Sequence, residues 1–185
     1  MAKKPTKKSA AKPQRPAQPA GVRIYTLDVQ LIDGPVTEQF IKANPKVIRT
    51  IEVRGDQTLE DLHWAIYDAF DREEEHMYEF QFGKKPMDER GRRYTMTLDD
   101  DPFGMDESDG PAEETTLDSL GLKAKQTFFY WFDFGDDWWH AIKVASIEEK
   151  APTGQYPKVV NQIGASPPQY PALNDEEEEE WSEEE

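Results

Sequence analysis

The chain has 185 residues, 36% of them hydrophobic, no cysteine and a formal net charge of −16. Without cysteine there is no disulfide framework, no thiolate-ligated zinc and no catalytic thiol. The acidic balance opposes general binding to nucleic acid or to an anionic membrane surface, and no apolar run approaches the ~18–20 residues of a membrane-spanning helix.

Met1 to Gly21 is rich in Lys, Pro and Ala and contains no acid. It has too little apolar surface to fold, and no apolar core follows its lysines, so a disordered basic tail is expected rather than a secretory leader. A cytoplasmic location is the matching expectation. Any contact with nucleic acid would run through this arm.

From Val22 to Ile32 (VRIYTLDVQLI) apolar and polar residues alternate, which predicts a half-buried strand. Val47 to Val53 predicts a second, ended by Gly55-Asp56-Gln57. Thr58 then stands at a helix N-cap with Asp61 three residues on, a short form of the capping box. Leu59, Leu62, Ile66, Ala69 and Phe70 fall on one stripe, so a helix is expected over Leu59 to Phe70. Met77 to Phe82 alternates again, and a further strand is expected over Arg93 to Leu98 inside a long polar stretch. Thr116 to Leu120 reads as one helical turn closed by Gly121.

The clearest local pattern follows. Gln126 to Phe134 (QTFFYWFDF) and Trp138 to Ile147 (WWHAIKVASI) flank Gly135-Asp136-Asp137. Glycine and aspartate tolerate the positive φ of a tight turn, so these runs predict a β-hairpin. Asn174 to Glu185 is almost wholly acidic and is expected to be a disordered tail. The expectation is therefore an α+β fold: a mostly antiparallel sheet with one main helix packed on it. It forms a single domain over residues 22–173, between disordered tails at 1–21 and 174–185.

Three segments carry a family resemblance. Thr58 to Phe80 holds Thr58-Leu59-x-x-Leu62-His63-x-x-Ile66 and then His76-Met77-Tyr78-Glu79-Phe80. Thr116 to Val144 contains Tyr130-x-Phe132-Asp133-x-Gly135-Asp136-x-Trp138-x-His140. Tyr156 to Pro168 is the third. Together they resemble the family named after the third open reading frame of the pRiA root-inducing plasmid. The resemblance implies a compact domain with one helix on a mostly antiparallel sheet, and for some members a resolvase-like, DNA-associated setting. The chain departs from the family's closing Cys-Pro-Pro-Glu-Asp-Cys-Gly-Gly stretch, which here reads Ala165-Ser166-Pro167-Pro168-Gln169-Tyr170.

The three histidines, His63, His76 and His140, all fall on these segments, beside Asp133, Asp136 and Asp137. Imidazole with carboxylate is the material of a divalent-metal site or a general acid/base pair. The catalytic candidates are His63, His76, Asp133, Asp137 and His140; the metal candidates are His63, His76, His140 and Asp133. No metal-binding spacing occurs, and His63 and His140 also sit where apolar faces point, as core histidines do. Asp136 and Asp137 suit turn-making. Asp133 interrupts an aromatic strand and needs solvent or a partner, for which Arg49 and His140 are candidates. Asp99-Asp100-Asp101-Pro102-Phe103-Gly104 has the acids of a calcium loop, but Phe103 and Gly110 stand where ligands are needed. The aromatic run Phe128 to Trp139 lacks interleaved basic residues and reads as core.

Three functional readings follow. The first is a non-catalytic binding or adaptor module for a protein partner, set among plasmids or mobile elements. The second is a metal-assisted or acid/base enzyme built on the His/Asp set. The third is a DNA-associated protein acting through the basic tail. No cofactor other than a divalent metal is suggested, and oligomeric state is left open.

Overall fold

The computed structural model describes residues 22–97, 108–149 and 154–171. The tails at 1–21 and 174–185, Leu98 and the 99–104 loop lie outside these residues. In chain order the elements are β1 (Arg23–Asp33), α1 (Glu38–Ala43), β2 (Ile48–Arg54), α2 (Leu59–Ala69), β3 (Tyr78–Phe82), β4 (Arg92–Thr95), β5 (Gly110–Pro111), a 3-10 turn (Leu117–Leu120), β6 (Thr127–Phe132), β7 (Trp138–Glu149) and β8 (Lys158–Ile163). One sheet takes all eight strands in the order β5-β4-β3-β6-β7-β1-β2-β8. Neighbours pair antiparallel except β4 and β5, which run parallel.

The expected α+β class is corrected by this arrangement. The molecule is dominated by a single eight-stranded mixed sheet, and α2 is the only helix of seven or more residues among those described. The physical reason is side-chain size. Tyr25, Phe80, Phe128, Tyr130, Phe132 and Trp138 are fully buried. Rings of this kind bury about 150–250 Å² each and fill the inner face of the sheet, so little volume remains for a helical layer. Leu59, Leu62, Ile66, Ala69 and Phe70 belong to one apolar cluster with residues of β1, β2, β3, β4, β6 and β7.

The start of α2 is strongly specified. Thr58 Oγ1 accepts from the Asp61 N–H at 3.1 Å, and Asp61 Oδ2 accepts from the Thr58 N–H at 2.8 Å. First-turn N–H groups have no partner inside a helix. Here the N–H groups of Leu59 and Glu60 donate to the Thr115 and Ala112 carbonyls at 2.9 and 3.3 Å. The segment before β6 thus closes the helix entrance.

Thr127 to Phe132 pairs with Lys143 to Trp138, residue by residue, to form the hairpin. The left-handed turn positions belong to Asp137 (φ 55), within the expected Gly135-Asp136-Asp137 turn, and to Asp133 (φ 56), just before it. Aspartate tolerates that conformation because its short side chain bonds nearby backbone. Asp133 Oδ1 does so, accepting from the Gly135 and Asp136 N–H groups at 3.1 and 3.3 Å. Period-two alternation then puts Phe128, Tyr130 and Phe132 on the inner face with Trp138, His140 and Ile142.

Elements α1, β5 and β8 have no counterpart in the sequence reading. Helix α1 is six residues long with none buried, and every residue of β8 is exposed, so neither shows an amphipathic pattern. No helix among the described residues is long and apolar enough to cross a membrane.

Candidate functional site

A cleft of about 590 Å³ opens where α2, the segment after it and the hairpin turn meet. Helix α2 contributes Glu60, His63 and Trp64, and the following segment contributes Glu75, His76 and Met77. Tyr78 of β3, Met96, and the turn residues Asp133, Phe134 and Gly135 complete the lining. Three carboxylates and three large aromatic rings thus face one space, with no lysine or arginine among them.

His63 forms the inner wall. Its Nδ1 lies 2.7 Å from the Tyr130 hydroxyl, and its ring stacks on Tyr78 with centroids 3.7 Å apart and planes 8° from parallel. Burial holds its pKa down, to about 3, so the imidazole stays neutral at ordinary pH. Such a ring is a wall and a hydrogen-bond partner for Tyr130, not a proton carrier.

His76 differs in every respect. It is partly exposed, and its Nε2 lies 3.4 Å from Asp133 Oδ2 and 2.8 Å from the Tyr170 hydroxyl. Tyr170 in turn donates to Glu74 Oε2 at 2.9 Å. With the phenol proton directed at Glu74, the hydrogen between His76 and Tyr170 belongs to Nε2. Burial, followed by the bond to Glu74, pushes the Tyr170 phenol up to about 12.

The remaining candidates do not join this group. His140 is 1% exposed, packed edge-on to Phe70 at 4.7 Å and beside Tyr130 at 5.4 Å, and does not line the cleft. Burial and then the Arg72 charge hold its pKa well below the ordinary histidine value, against an opposing contribution from the Tyr130 backbone. Asp137 accepts from Trp131 Nε1 at 2.9 Å on the outer face of the hairpin. The partner of Asp133 is His76, not His140 or Arg49, whose guanidinium is bonded to main-chain carbonyls and Ser166. Among the described residues no three His, Asp or Glu side chains are grouped to hold a metal ion. The set His63, His76, His140 and Asp133 therefore does not fit a mononuclear site, since His140 does not line the cleft and His63 Nδ1 is taken up by the Tyr130 hydroxyl.

A family model described as plasmid pRiA4b ORF-3-like protein matches residues 36–170. The chain belongs to that family. A crystal structure of a protein of unknown function from Methanosarcina mazei Go1 shares the fold, with a TM-score of 0.58 and 23% identity over 80% of this chain and 74% of that one. No curated protein matches the chain.

In this pRiA4b ORF-3-like chain the characteristic residues take separate tasks. Tyr130, Phe132, Trp138 and His140 build the inner face, Asp133 and Gly135 line the cleft, and His63 and His76 form two of its walls. The altered closing stretch also has a clear position. Gln169 is 2% exposed; its Oε1 accepts from the Glu73 and Glu74 N–H groups at 2.8 and 3.0 Å, and its Nε2 donates to the Glu74 carbonyl at 3.0 Å. Gln169 and Tyr170 thereby fix the segment that carries Glu75 and His76.

Sequence reasoning passed over Glu60, Trp64 and Glu75, and named Tyr130, Gln169 and Tyr170 only as parts of the family segments, with no site role. Two had a usable signal: Trp64 is an exposed-face aromatic beside His63, and Tyr130 alternates in the same strand as Phe132. Gln169 had none, because its role depends on a loop almost a hundred residues away.

Proposed function

We propose that the chain is a non-catalytic binding module whose cleft takes a cationic segment of a protein partner. The observation that carries this reading is the lining itself: Glu60, Glu75 and Asp133 beside Trp64, Tyr78 and Phe134, with no lysine or arginine. Carboxylates attract a lysine or arginine side chain, and aromatic faces hold it at close range. Trp64 is 38% exposed, so a rigid aromatic surface is already presented to solvent. The same lining has the wrong charge for a phosphate backbone, which counts against a DNA contact at this cleft. A plasmid or mobile-element setting rests on the family's description alone.

One observation favours an acid/base reading as well, the partly exposed His76 poised against Asp133. It would need a second proton-transfer group, and the neutral, enclosed His63 does not provide one.

Titration calorimetry with lysine- or arginine-rich, neutral and acidic peptides separates these readings. The basic peptide is expected to bind and to weaken as salt rises. Trp64→Ala and the pair Glu60→Gln with Glu75→Gln are each expected to weaken it about tenfold. Equal affinity for basic and acidic peptides, or none for either, would overturn the proposal.

A further inference from the structure

Beneath the hairpin, two buried side chains carry polar atoms that nothing among the described residues satisfies. They are Arg72 Nη1 and Nη2 and Trp138 Nε1, with His140 beside them, whose ring nitrogens make no hydrogen bond of good geometry although the Tyr130 backbone acts on the ring. Arg72 is 7% exposed, Trp138 0% and His140 1%. They form one group. The Arg72 guanidinium carbon lies 3.6 Å from the centroid of a Trp138 ring, Trp138 and His140 share the inner face of β7, and the Arg72 charge acts on His140. With the indole this close to the guanidinium carbon, the Nη N–H groups are what Arg72 can offer a guest. Gly34 packs against the indole so closely that an added Cβ would collide with the ring.

Charge and donor chemistry decide what the guest is. Arginine and tryptophan offer donors and no acceptor, and a neutral histidine adds one donor beside one acceptor, so donors predominate. No carboxylate among the described residues forms an ion pair with Arg72. Asp133 acts on it electrostatically, but Asp133 Oδ1 is bonded to the Gly135 and Asp136 N–H groups and Oδ2 faces His76. Burial lowers the Arg72 pKa only to about 10, which leaves the guanidinium charged at neutral pH. A buried cation with unsatisfied donors is costly, and an acceptor-only ion offsets both terms together.

We infer that Arg72, Trp138 and His140 form an enclosed subsite for a small anion of halide or formate type. The set shares neither Glu60 nor Trp64 with the cleft, so its test is independent of the peptide experiment.

The test is thermal unfolding of the full chain at constant ionic strength, with chloride or formate exchanged for the bulkier gluconate. The wild type is expected to show a saturable rise in Tm with chloride or formate. Arg72→Met, which keeps the apolar stack on the indole, is expected to lose that dependence. Trp138→Phe, which keeps an aromatic ring and removes the donor, is expected to raise the chloride midpoint about tenfold, the size of one hydrogen bond to an ion. Equal Tm in chloride and gluconate, an undiminished chloride response in Arg72→Met, or an unchanged midpoint in Trp138→Phe would each overturn the subsite.

Discussion

Arg49, under the β2–β8 edge, and Arg72, under the hairpin, are both buried arginines, and their surroundings treat them in opposite ways. Arg49 donates from Nε to the Ala69 carbonyl at 2.8 Å, from Nη1 to the carbonyls of Ile48, Ile163 and Gly164 at 2.9, 3.1 and 3.1 Å, and from Nη2 to Ser166 Oγ at 2.9 Å. It ties the end of α2, the edge strand and the closing stretch together, with its guanidinium over Phe70. Arg72 has the same chemistry and, at both Nη atoms, no hydrogen bond among the described residues. The contrast teaches that burial of a charge does not by itself indicate a structural role. What matters is whether the donors are consumed by the fold.

The largest expected effect tests that contrast directly. Arg49→Met leaves several carbonyls without a donor and is expected to cost about 3 kcal/mol or more in urea unfolding. Arg72→Met, measured in gluconate, removes an uncompensated charge and is expected to change stability by less than about 1 kcal/mol. Equal losses at the two positions would break the comparison.

A second test uses the two buried histidines, His63 and His140. Burial holds His63 at about 3, against an ordinary value of 6.5, so between these limits the unfolded chain binds the extra proton. Stability is therefore intact above about pH 6.5 and falls as the pH drops toward 3, by about 1.4 kcal/mol per pH unit for each such group. His140, lowered in the same direction, adds to the slope. His63→Gln is expected to remove about one proton's worth of pH dependence from urea midpoints measured between pH 7 and 5. An unchanged slope would mean that His63 is not held neutral in the fold.

The smallest effect concerns the link between the two regions. Gln169 follows the stretch that Arg49 anchors and clamps the segment after Arg72. Gln169→Ala is expected to cost about 1–2 kcal/mol and to speed hydrogen exchange at the Glu73 and Glu74 amides. Unaltered exchange at those amides would show that the clamp does not hold the segment.

Legibility followed the range of the forces involved. The α2 stripe, the Thr58–Asp61 cap and the β6–β7 hairpin could be read because their patterns are local: period 3.6, a three-residue cap and period 2. His63, His76 and Asp133 were also readable as a set, and they share the cleft. His140 and Asp137 were misplaced with them because strand alternation gives a face, not the identity of what covers it. Arg72 was hidden in a run of charges, Asp71-Arg72-Glu73-Glu74-Glu75, which resembles a solvated loop. Only its stacking on Trp138 distinguishes it.

The sequence by itself determined the α2 stripe and its cap, the β6–β7 hairpin, the family and the absence of thiol chemistry. Each depends on residue type and short-range spacing, which tertiary packing does not alter. The tertiary structure alone decided that the sheet, not the helix, dominates the fold, that only one histidine is available to solvent chemistry, and which buried arginine is satisfied. Those outcomes depend on which distant groups meet inside a low-dielectric interior, where a missing partner outweighs any local preference.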